Sequence, residues 1–598
     1  MPDDPVLRLQ TPQLQAAVVH HGHWPSSGAS AADGEAFLLS GACWSGADSE
    51  ALADHACARE TYLARRDAGN PDPLRGMFAL ARASAERRQL TVETDRFGTV
   101  PVYYRPDHRG GLLVASEIKF LTEPGRDRPD PLGMSDLLSI SYHVRNATTV
   151  AGVTRLPLHH RLEFGPTGLE VARLPHPGYP RDLPLDRDSL TELDRMAARH
   201  FQRFAAVTSH MAIALSGGLD SRLLLFSARR AGVDLEGFTA GEEGNVDVAL
   251  TRRLAEQLDL PLTVQTIDGR TMPDWLVEAT WLSEGRVPFN HLHYFQGLFQ
   301  GTTPRHPQVH GLIGEAVIGG YLENERYRDA TPAQRREGCL DFTRHTALNW
   351  GDGLGEAVLG TELLQATRAA HEQAAADLQM ALGSEGSYAD YLDFRFVFRG
   401  GLFGVPALAG QVSPWTDIVS PFLDADVYDF GARLRSEDIM DRVVQLRWGL
   451  EFMPGFDALP RVKDGLLLPV TTDDPRAYER ARETLVARNR RRYILTRLTR
   501  GRLNPRHPEG FPHYAQWYRR WPHVRRFIDG ILLDERTADR GLWHADGIRT
   551  MLGRLRSGRN LWGTVGAVLL CELLCRLLLD GDPAPDPLLL GKAARSAR

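Results

Sequence analysis

Lysine is almost absent from this chain: of its 70 lysine and arginine residues, only Lys119, Lys463 and Lys592 are lysine. Together with abundant Ala, Gly, Pro and Leu, this bias is typical of a GC-rich bacterial genome in which Arg replaces Lys. A lysine that persists indicates a position that needs a compact ammonium group, because the guanidinium of Arg is planar and larger. We expect Lys119 to be structural and Lys592 to belong to a polar tail, which leaves Lys463 as the candidate functional lysine.

Cysteine is also scarce, with five residues in 598, an odd number without the spacing of metal ligands. This count excludes a disulfide framework and predicts a protein of the reducing cytoplasm. Cys571 and Cys575 stand four positions apart in an apolar run. That spacing predicts small buried side chains on a helix rather than a redox pair.

Long uninterrupted hydrophobic runs are missing. The most apolar stretch, from Val565 to Leu579, contains Glu572 and Arg576, so it predicts a packed helix rather than a membrane span. The opening residues Met1-Pro-Asp-Asp are polar and acidic, which disfavours a signal peptide. A net charge of −6 over 598 residues disfavours a nucleic-acid partner. We therefore expect a soluble cytoplasmic protein.

The length exceeds what one hydrophobic core holds, so two or more domains are expected. Residues 1–175 contain short apolar runs that predict strands and form one predicted domain; a Pro-rich linker at 176–190 precedes a second domain at 191–590. From residue 211 onward short buried strands alternate with helices, which predicts a parallel sheet covered by helices on both faces. The strands and helices predicted most clearly are Ala36–Leu39, Gln89–Glu93, Val100–Tyr104, Leu112–Ala115, Met211–Leu215, Arg222–Ala231, Leu235–Thr239, Val246–Leu258 and Leu262–Ile267.

The most informative stretch is the glycine loop Ser216-Gly-Gly-Leu-Asp-Ser221, which follows a predicted buried strand and opens a predicted helix. Gly217 and Gly218 let backbone N–H groups approach a pyrophosphate at a helix N-terminus. Ser216 and Ser221 add hydroxyl donors. Asp220 is a candidate ligand for the Mg²⁺ that accompanies ATP. The loop lacks the Walker A and dinucleotide-binding patterns and matches the SGGxDS signature of ATP pyrophosphatases.

Further landmarks resemble asparagine synthetases over nearly the whole chain. They are the segments 95–104, 115–119, 319–321 and 421–424, which read DRFGTVPVYY, ASEIK, GGY and PFLD. The resemblance implies an N-terminal Ntn-hydrolase-like αββα domain of the glutaminase type. It also implies a C-terminal ATP-pyrophosphatase domain, adenine nucleotide alpha hydrolase-like, with a doubly wound parallel sheet and a helical extension. It further implies ATP contacts from Leu215, Thr239 and Gly311 beside the glycine loop.

Departures from the family pattern narrow the expected activity. The family's glutaminase uses an N-terminal cysteine, where this chain has Pro2, and an Asn-Gly pair, where it has Ser40-Gly41. We therefore expect no glutaminase activity. In the loop at 310–321, Glu315 replaces the family's metal-binding Asp and is a second candidate Mg²⁺ ligand, whereas Leu312 replaces a Glu of the aspartate site. This second change disfavours plain asparagine synthesis.

Lys463 lies where the family places a lysine above the synthetase site. Negative charge builds on the carbonyl oxygen and the α-phosphate during adenylation and amine attack, and a mobile cation stabilises it. We predict that Lys463 and Asp220 are catalytic. The general base is open; Asp390 and Asp393 are candidates.

The predicted function is an ATP-dependent, AMP-forming amide ligase with ATP and Mg²⁺ as cofactors. Its amine is expected on a peptide or small-molecule substrate that also carries the carboxylate. The preferred hypothesis is a macrolactam cyclase similar to those of lasso peptides, which implies a leader-peptide recognition protein and a leader peptidase as partners. The segments 488–492 and 514–526 are candidate peptide contacts, although a solvated helix face is the default interpretation of both. Three alternatives stay open: asparagine synthesis from free ammonia, a β-lactam-type amide former and a non-catalytic scaffold that binds nucleotide or peptide.

Overall fold

In a computed structural model, most of residues 24–311 and 416–472 and all of 512–583 are described. The described residues are 6–10, 15–19, 24–32, 34–45, 49–67, 74–140, 142–143, 146–174, 180–311, 313–319, 330–334, 337, 357–369, 373, 405, 412, 416–435, 438–439, 442–463, 466–472, 480–481, 483–484, 494 and 512–583. Pro2, Leu312, Asp390, Asp393, the segment 488–492 and Lys592 lie outside them.

The N-terminal domain is built from antiparallel strands and two helices. Its strands are β1 (Val6–Gln10), β2 (Gln15–Val19), β3 (Gly28–Ala32), β4 (Glu35–Trp44), β5 (Arg75–Ser84), β6 (Gln89–Thr94), β7 (Tyr103–Pro106), β8 (Leu112–Ala115), β9 (Thr154–Arg155), β10 (His160–Gly165) and β11 (Gly168–Arg173). Helix α1 spans His55–Asp67 and α2 spans Pro131–Ile140. Six strands form one sheet in the order β11-β10-β6-β5-β4-β3, and three form another in the order β8-β7-β9.

These elements stack in four layers because side chains alternate across each strand. On β5, Phe78 and Leu80 pack with Tyr62 of α1. Ala79, the residue between them, packs against the three-stranded sheet. Beyond that sheet, Tyr103 packs with α2. The layer sequence α, β, β, α is the predicted one, and the predicted strand at 112–115 matches β8; the strand predicted to begin at Val100 begins at Tyr103.

The C-terminal domain contains a five-stranded parallel sheet with the order β14-β13-β12-β15-β16. Its strands are β12 (His210–Ala214), β13 (Asp234–Gly241), β14 (Leu262–Thr266), β15 (Gln308–Val309) and β16 (Ile418–Val419), and every pairing is parallel. The helices at its start are α3 (Arg187–Ala205), α4 (Leu219–Arg230) and α5 (Val246–Gln257). Asp186 caps α3 through a reciprocal pair of hydrogen bonds with Ser189. The predicted alternation of strand and helix is confirmed to within three residues at each end.

The rest of the described domain is mainly helical. Its elements are α6 (Met272–Ser283), α7 (Phe295–Phe299), α8 (Ala425–Arg433), α9 (Val443–Phe452), β17 (Arg461–Lys463), β18 (Leu466–Leu468), α10 (Tyr514–Arg520), α11 (Pro522–Leu532), α12 (Glu535–Asp539), α13 (Ala545–Arg556) and α14 (Trp562–Leu574). A π-helical turn at Cys575–Leu579 continues α14.

The helix from Trp562 to Leu579 is long and apolar enough to cross a membrane by length and composition. It is nevertheless 94% buried inside the protein. Glu572 is fully buried and is paired with Arg540 at 3.1 Å and Arg576 at 3.2 Å. The pairing explains how two charged residues lie in this core helix.

The two domains share core residues. Trp24 and Trp44 of the N-terminal domain belong to the same apolar cluster as Phe201 and Phe204 of α3. The ring of Trp24 lies edge-on to Phe204, with 4.7 Å between their centroids. A second cluster joins α2 to α14. The interface is therefore apolar at two separate places.

Candidate active site

The glycine loop lies at the carboxyl edge of the parallel sheet. Strand β12 ends at Ala214, and α4 begins at Leu219 with Gly218 as its N-cap. The strand order reverses here, because β13 pairs with one side of β12 and β15 with the other. In open parallel sheets such a reversal opens a crevice that binds ligands. The loop therefore faces the position where a nucleotide is expected.

Two hydrogen bonds within the loop and one to α5 fix the conformation of the loop backbone. Gly217 N–H donates to Asp247 Oδ1 at 3.0 Å, and Gly218 N–H donates to Ser216 Oγ at 3.2 Å. The Ser216 N–H donates to Ser221 Oγ at 3.2 Å. An incoming phosphate can replace these acceptors, since it presents oxygens to the same N–H groups at the N-terminus of α4.

Asp247 is a residue of this site that the sequence analysis missed. It lies in the first turn of α5, whose N-cap is Asn245. Burial raises the pKa of the Asp247 carboxyl, although the bond from Gly217 works in the opposite direction. Its position two residues after the cap of the helix that follows β13 was the available signal.

The second loop packs directly against Asp220. A Cβ at Gly311 would lie 2.8 Å from Asp220 Cβ and 2.9 Å from Ser221 N, and one at Gly314 would lie 2.6 Å from Asp220 Oδ1. Only glycine permits this close approach at both positions. The loop then enters a π-helical turn that begins at Glu315. The close contact of this segment with the glycine loop therefore depends on Gly311, which the sequence analysis named, and on Gly314, which it did not.

The two candidate metal ligands come from these neighbouring segments. Asp220 accepts a hydrogen bond from the Nε2 atom of Gln445, which is a residue of α9. Glu315 is paired with Arg442 at 2.6 Å. Two carboxylates on adjacent segments suit a hard divalent cation, which prefers oxygen ligands. The Glu315 carboxylate has to exchange Arg442 for the metal in order to serve as a ligand.

Strand β17 brings Lys463 to the glycine loop. The Val462 N–H donates to the carbonyl oxygen of Gly217 at 2.7 Å. The Val462 side chain also fills the space beside Gly217, where a Cβ would lie 2.5 Å from Val462 Cγ2. Lys463 is the next residue, although its side chain is outside the described part. The structure thus joins two features that are widely separated in the sequence, the loop at 216–221 and the strand that contains Lys463.

Arg222 holds the segment before β17 in place. Its guanidinium donates to the carbonyl oxygens of Phe456, Leu459 and Pro460 at 3.0, 2.7 and 2.8 Å. The side chain is buried, and desolvation lowers its pKa to about 10. Since Arg222 directly follows Ser221, one rigid helix turn positions both the glycine loop and the approach to Lys463.

Three buried arginines, Arg222, Arg442 and Arg461, lie around the crevice. Burial, together with the nearby Arg442, lowers the pKa of Arg461 to about 10. Arg222 also contributes to this shift. Arginines at these pKa values remain protonated at neutral pH, and their charge opposes that of the nearby carboxylates of Asp220 and Glu315.

The remaining predicted contacts lie on the strands beside the loop. The Leu215 N–H donates to the carbonyl oxygen of Phe238 at 2.8 Å, so Leu215 and Thr239 occupy adjacent strands at the carboxyl edge. Thr239 is buried. Both positions are consistent with the expected lining of the crevice.

Glu242 forms a polar cluster that the sequence analysis also missed. It follows β13 directly and accepts hydrogen bonds from His513 Nδ1 at 2.6 Å and Trp517 Nε1 at 2.8 Å. Burial raises the pKa of Glu242, but these bonds outweigh it, so the pKa lies below its ordinary value. The aromatic residues of the predicted peptide-contact segment 514–526 are mostly buried: Tyr514, Trp517 and Tyr518 are core residues. They support the sheet edge instead of forming an exposed surface.

The two described cysteines of the N-terminal domain lie in different environments. Cys43 is fully buried on β4, and burial raises its pKa to about 12. Cys57 is exposed on α1. Ser27 Oγ bonds both the N–H and the carbonyl oxygen of Gly41, at 2.9 and 3.0 Å. Lys119 pairs with the fully buried Glu284 across the domain interface at 3.3 Å, which supports its expected structural role.

The parallel sheet, the SGGxDS loop and its converging segments resemble a nucleotide site of the ATP-pyrophosphatase type. Comparison with known families agrees: residues 202–379 match the asparagine synthase family, and residues 66–173 match the glutamine amidotransferase domain. These two domains, in this order, support the asparagine synthetase family and an ATP-dependent carbon–nitrogen ligase.

Two curated relatives are fungal proteins named amidases. Amidase chry2 of Gibberella zeae is 27% identical over 281 residues, 42% of this chain and 40% of the relative. Amidase chyE of Penicillium rubens is 26% identical over 242 residues, 36% of this chain and 35% of the relative. The chain thus matches less than half the length of each relative.

Proposed function

We propose that this protein adenylates a carboxylate with ATP and joins it to an amine that the same substrate carries, most specifically as a macrolactam cyclase for a ribosomally made peptide of the lasso type. The observation that carries the ligase is the convergence of the loop at 216–221, the loop at 311–319 and strand β17. Val462 bonds Gly217 at 2.7 Å, which brings the candidate lysine to the candidate phosphate site.

Each side chain has a distinct task in the proposed mechanism. The N–H groups of Gly217 and Gly218, together with the N-terminus of α4, bind the phosphates of ATP. Asp220 and Glu315 hold Mg²⁺, which neutralises phosphate charge. Lys463 stabilises the negative charge on the carbonyl oxygen and the α-phosphate as the carboxylate attacks and pyrophosphate leaves. It stabilises charge on the same oxygen when the amine attacks and AMP leaves.

The source of the amine is the second part of the proposal. Burial raises the pKa of the Cys43 thiol to about 12, which disfavours the thiolate at neutral pH, and Ser40-Gly41 stands where the family has an Asn-Gly pair. We therefore propose that glutamine does not supply the nitrogen and that the amidotransferase domain acts as a structural cover. An amine already attached to the substrate is then required, and the α-amine of a peptide satisfies that requirement.

The proposed setting is the cytoplasm, where ATP is available and thiols stay reduced. The free thiols of Cys43, Cys57, Cys571 and Cys575 fit such a compartment. A leader-peptide recognition protein and a leader peptidase are the proposed partners, because a cyclase needs its substrate's α-amine to be exposed before the ring forms.

The test is mass spectrometry of a leader-free peptide, encoded beside the gene, after incubation with the protein and Mg·ATP. The proposal predicts that the peptide loses the mass of one water molecule while AMP and pyrophosphate form in equal amounts. AMP formation from aspartate and ammonium, without a change in the peptide, would favour asparagine synthesis instead.

The names of the fungal relatives favour a second candidate, an amidase. Hydrolysis of an amide needs no nucleotide, so omission of ATP separates the two functions. Product formation without ATP, accompanied by a gain of one water, would support the amidase and refute the ligase. Asp220→Asn is the matched variant, because it should abolish only the ATP-dependent reaction.

A further inference from the structure

At the amino edge of the parallel sheet, opposite the glycine loop, two histidines and two carboxylates meet. His210 and Asp234 are the first residues of β12 and β13, and they are register partners. Glu236 lies two residues further along β13. His306 precedes β15, which pairs with the other side of β12. Because register partners on parallel strands share a face, these side chains converge.

The distances within this group are those of a nearly assembled metal site. The Nε2 atoms of His210 and His306 lie 3.7 Å and 3.9 Å from Glu236 Oε1, and the ligand atoms of the three residues all lie within 4.8 Å of one another. Bonds of about 2.0–2.1 Å to a tetrahedral zinc ion place neighbouring ligand atoms about 3.3 Å apart. Movements of the ligand atoms by a few tenths of an ångström to about 1.5 Å would bring them to the separations of a zinc site.

A fourth residue fixes one of the histidines. The His210 Nδ1–H donates to Asp234 Oδ2 at 2.7 Å. This bond selects the tautomer whose Nε2 lone pair points towards Glu236 and His306. A carboxylate that orients the ligating histidine in this way is a recurrent feature of zinc sites. The two imidazole rings stand nearly perpendicular, with 4.4 Å between their centroids, so both can present a nitrogen to one point.

We propose that His210, Glu236 and His306 bind one zinc ion, with Asp234 as the positioning residue. Two imidazole nitrogens and one carboxylate oxygen are ligands that Zn²⁺ accepts, and water completes the tetrahedron. The ion clamps the amino ends of β12 and β13 to the segment before β15. It is separate from the Mg·ATP site, because β12 spans five residues and rises about 3.3 Å per residue between them.

The direct test is titration of the metal-free full chain with Co²⁺, followed by absorption, and with Zn²⁺, followed by competition against a chromogenic chelator. We expect one equivalent of either ion and the absorption of four-coordinate Co²⁺. His210→Ala, His306→Ala and Glu236→Gln should each weaken binding by at least about 100-fold. Asp234→Asn should weaken it by about 10- to 100-fold, the range for residues that orient a metal ligand.

His108→Ala is the matched control. His108 Nε2 also faces a carboxylate, that of Glu123 at 3.4 Å, and its side chain is 67% exposed, but it does not belong to the three-ligand group. The His108→Ala variant should bind Zn²⁺ as tightly as the unmodified protein does. Parent-like binding by His306→Ala and Glu236→Gln, or an equal loss in His108→Ala, would overturn the proposal. His306 is half-exposed outside a strand, so its variant keeps the test valid if His210→Ala unfolds.

Discussion

Replacement of Arg222 by methionine should loosen the approach to Lys463 and destabilise the protein. The guanidinium donates three hydrogen bonds to the carbonyl oxygens of Phe456, Leu459 and Pro460. Methionine keeps most of the side-chain length but donates none of these bonds. The three carbonyls would then remain buried without a partner unless the chain moves or water enters.

Two opposing contributions set the expected change in the free energy of unfolding: the loss of hydrogen bonds to buried carbonyls and the removal of a buried charge. Three unpaired carbonyls destabilise the fold by about 6 kcal/mol, at about 2 kcal/mol each. Removal of the buried guanidinium relieves a desolvation penalty of about 3 kcal/mol, which is the equivalent of lowering its pKa to about 10. We therefore expect Arg222→Met to reduce the free energy of unfolding by about 3 kcal/mol. We also expect AMP formation to fall about 100-fold, because a shift of about 1 Å in Lys463 misplaces the charge.

Urea denaturation and amide hydrogen exchange over residues 456–463 are the assays. Exchange at Val462 is the most specific signal, since its N–H bonds Gly217. Arg230→Met, on the same helix, is the control: Arg230 is 44% exposed and pairs with Asp194 at 2.8 Å, so its loss should change stability by less than about 1 kcal/mol. Unchanged exchange at Val462 together with parent-like stability in Arg222→Met would refute the anchoring role.

Three further predictions concern the site and its surroundings. Lys463→Ala should abolish AMP formation while ATP affinity, measured by calorimetry, stays within a few-fold; retained turnover would remove Lys463 from the catalytic residues. Asp220→Asn should weaken Mg·ATP binding, and Glu315→Gln should raise the Mg²⁺ concentration needed for half-maximal activity, whereas an unchanged Mg²⁺ dependence would exclude Glu315 as a ligand. Burial lowers the pKa of His293 to about 3, so the unfolded state binds the extra proton below about pH 6.5, and stability present above that pH is lost as pH falls. Between pH 6.5 and 5 the loss is about 2 kcal/mol; His293→Gln should make the urea midpoint less pH-dependent, and an identical pH profile would contradict this assignment.

Much of the parallel-sheet half could be predicted because local signals agreed there. Short apolar runs indicate the strands, the glycine loop indicates the boundary between β12 and α4, and α5 ends within one residue of its predicted limit. In the N-terminal domain the strand predicted at 100–104 was displaced. Val100 and Val102 pack beside the sheets, so their burial follows from tertiary packing that an apolar run alone does not distinguish from pairing.

The candidate site was predictable only in its separate parts. The sequence singles out the loop at 216–221 and Lys463, but their contact through Gly217 and Val462 depends on Arg222, which reads as an ordinary helix arginine. Asp247 and Glu242 were missed for a related reason. Asp247 lies in the first turn of α5 and Glu242 directly follows β13, and their contacts with Gly217 and with His513 and Trp517 appear only in the folded structure.

The interface between the domains explains why the N-terminal domain is retained in the proposed ligase. Asp424, in a segment that resembles a family signature, is buried and bonds Arg203 at 2.8 Å and His200 at 3.1 Å. The Arg203 guanidinium lies 4.6 Å from the centre of the Trp44 ring, which belongs to the other domain. Without that domain, Arg203 would lose its contact with Trp44, and Glu284 would lose its ion pair with Lys119. The N-terminal domain therefore completes the surface on which α3, the first helix of the second domain, packs.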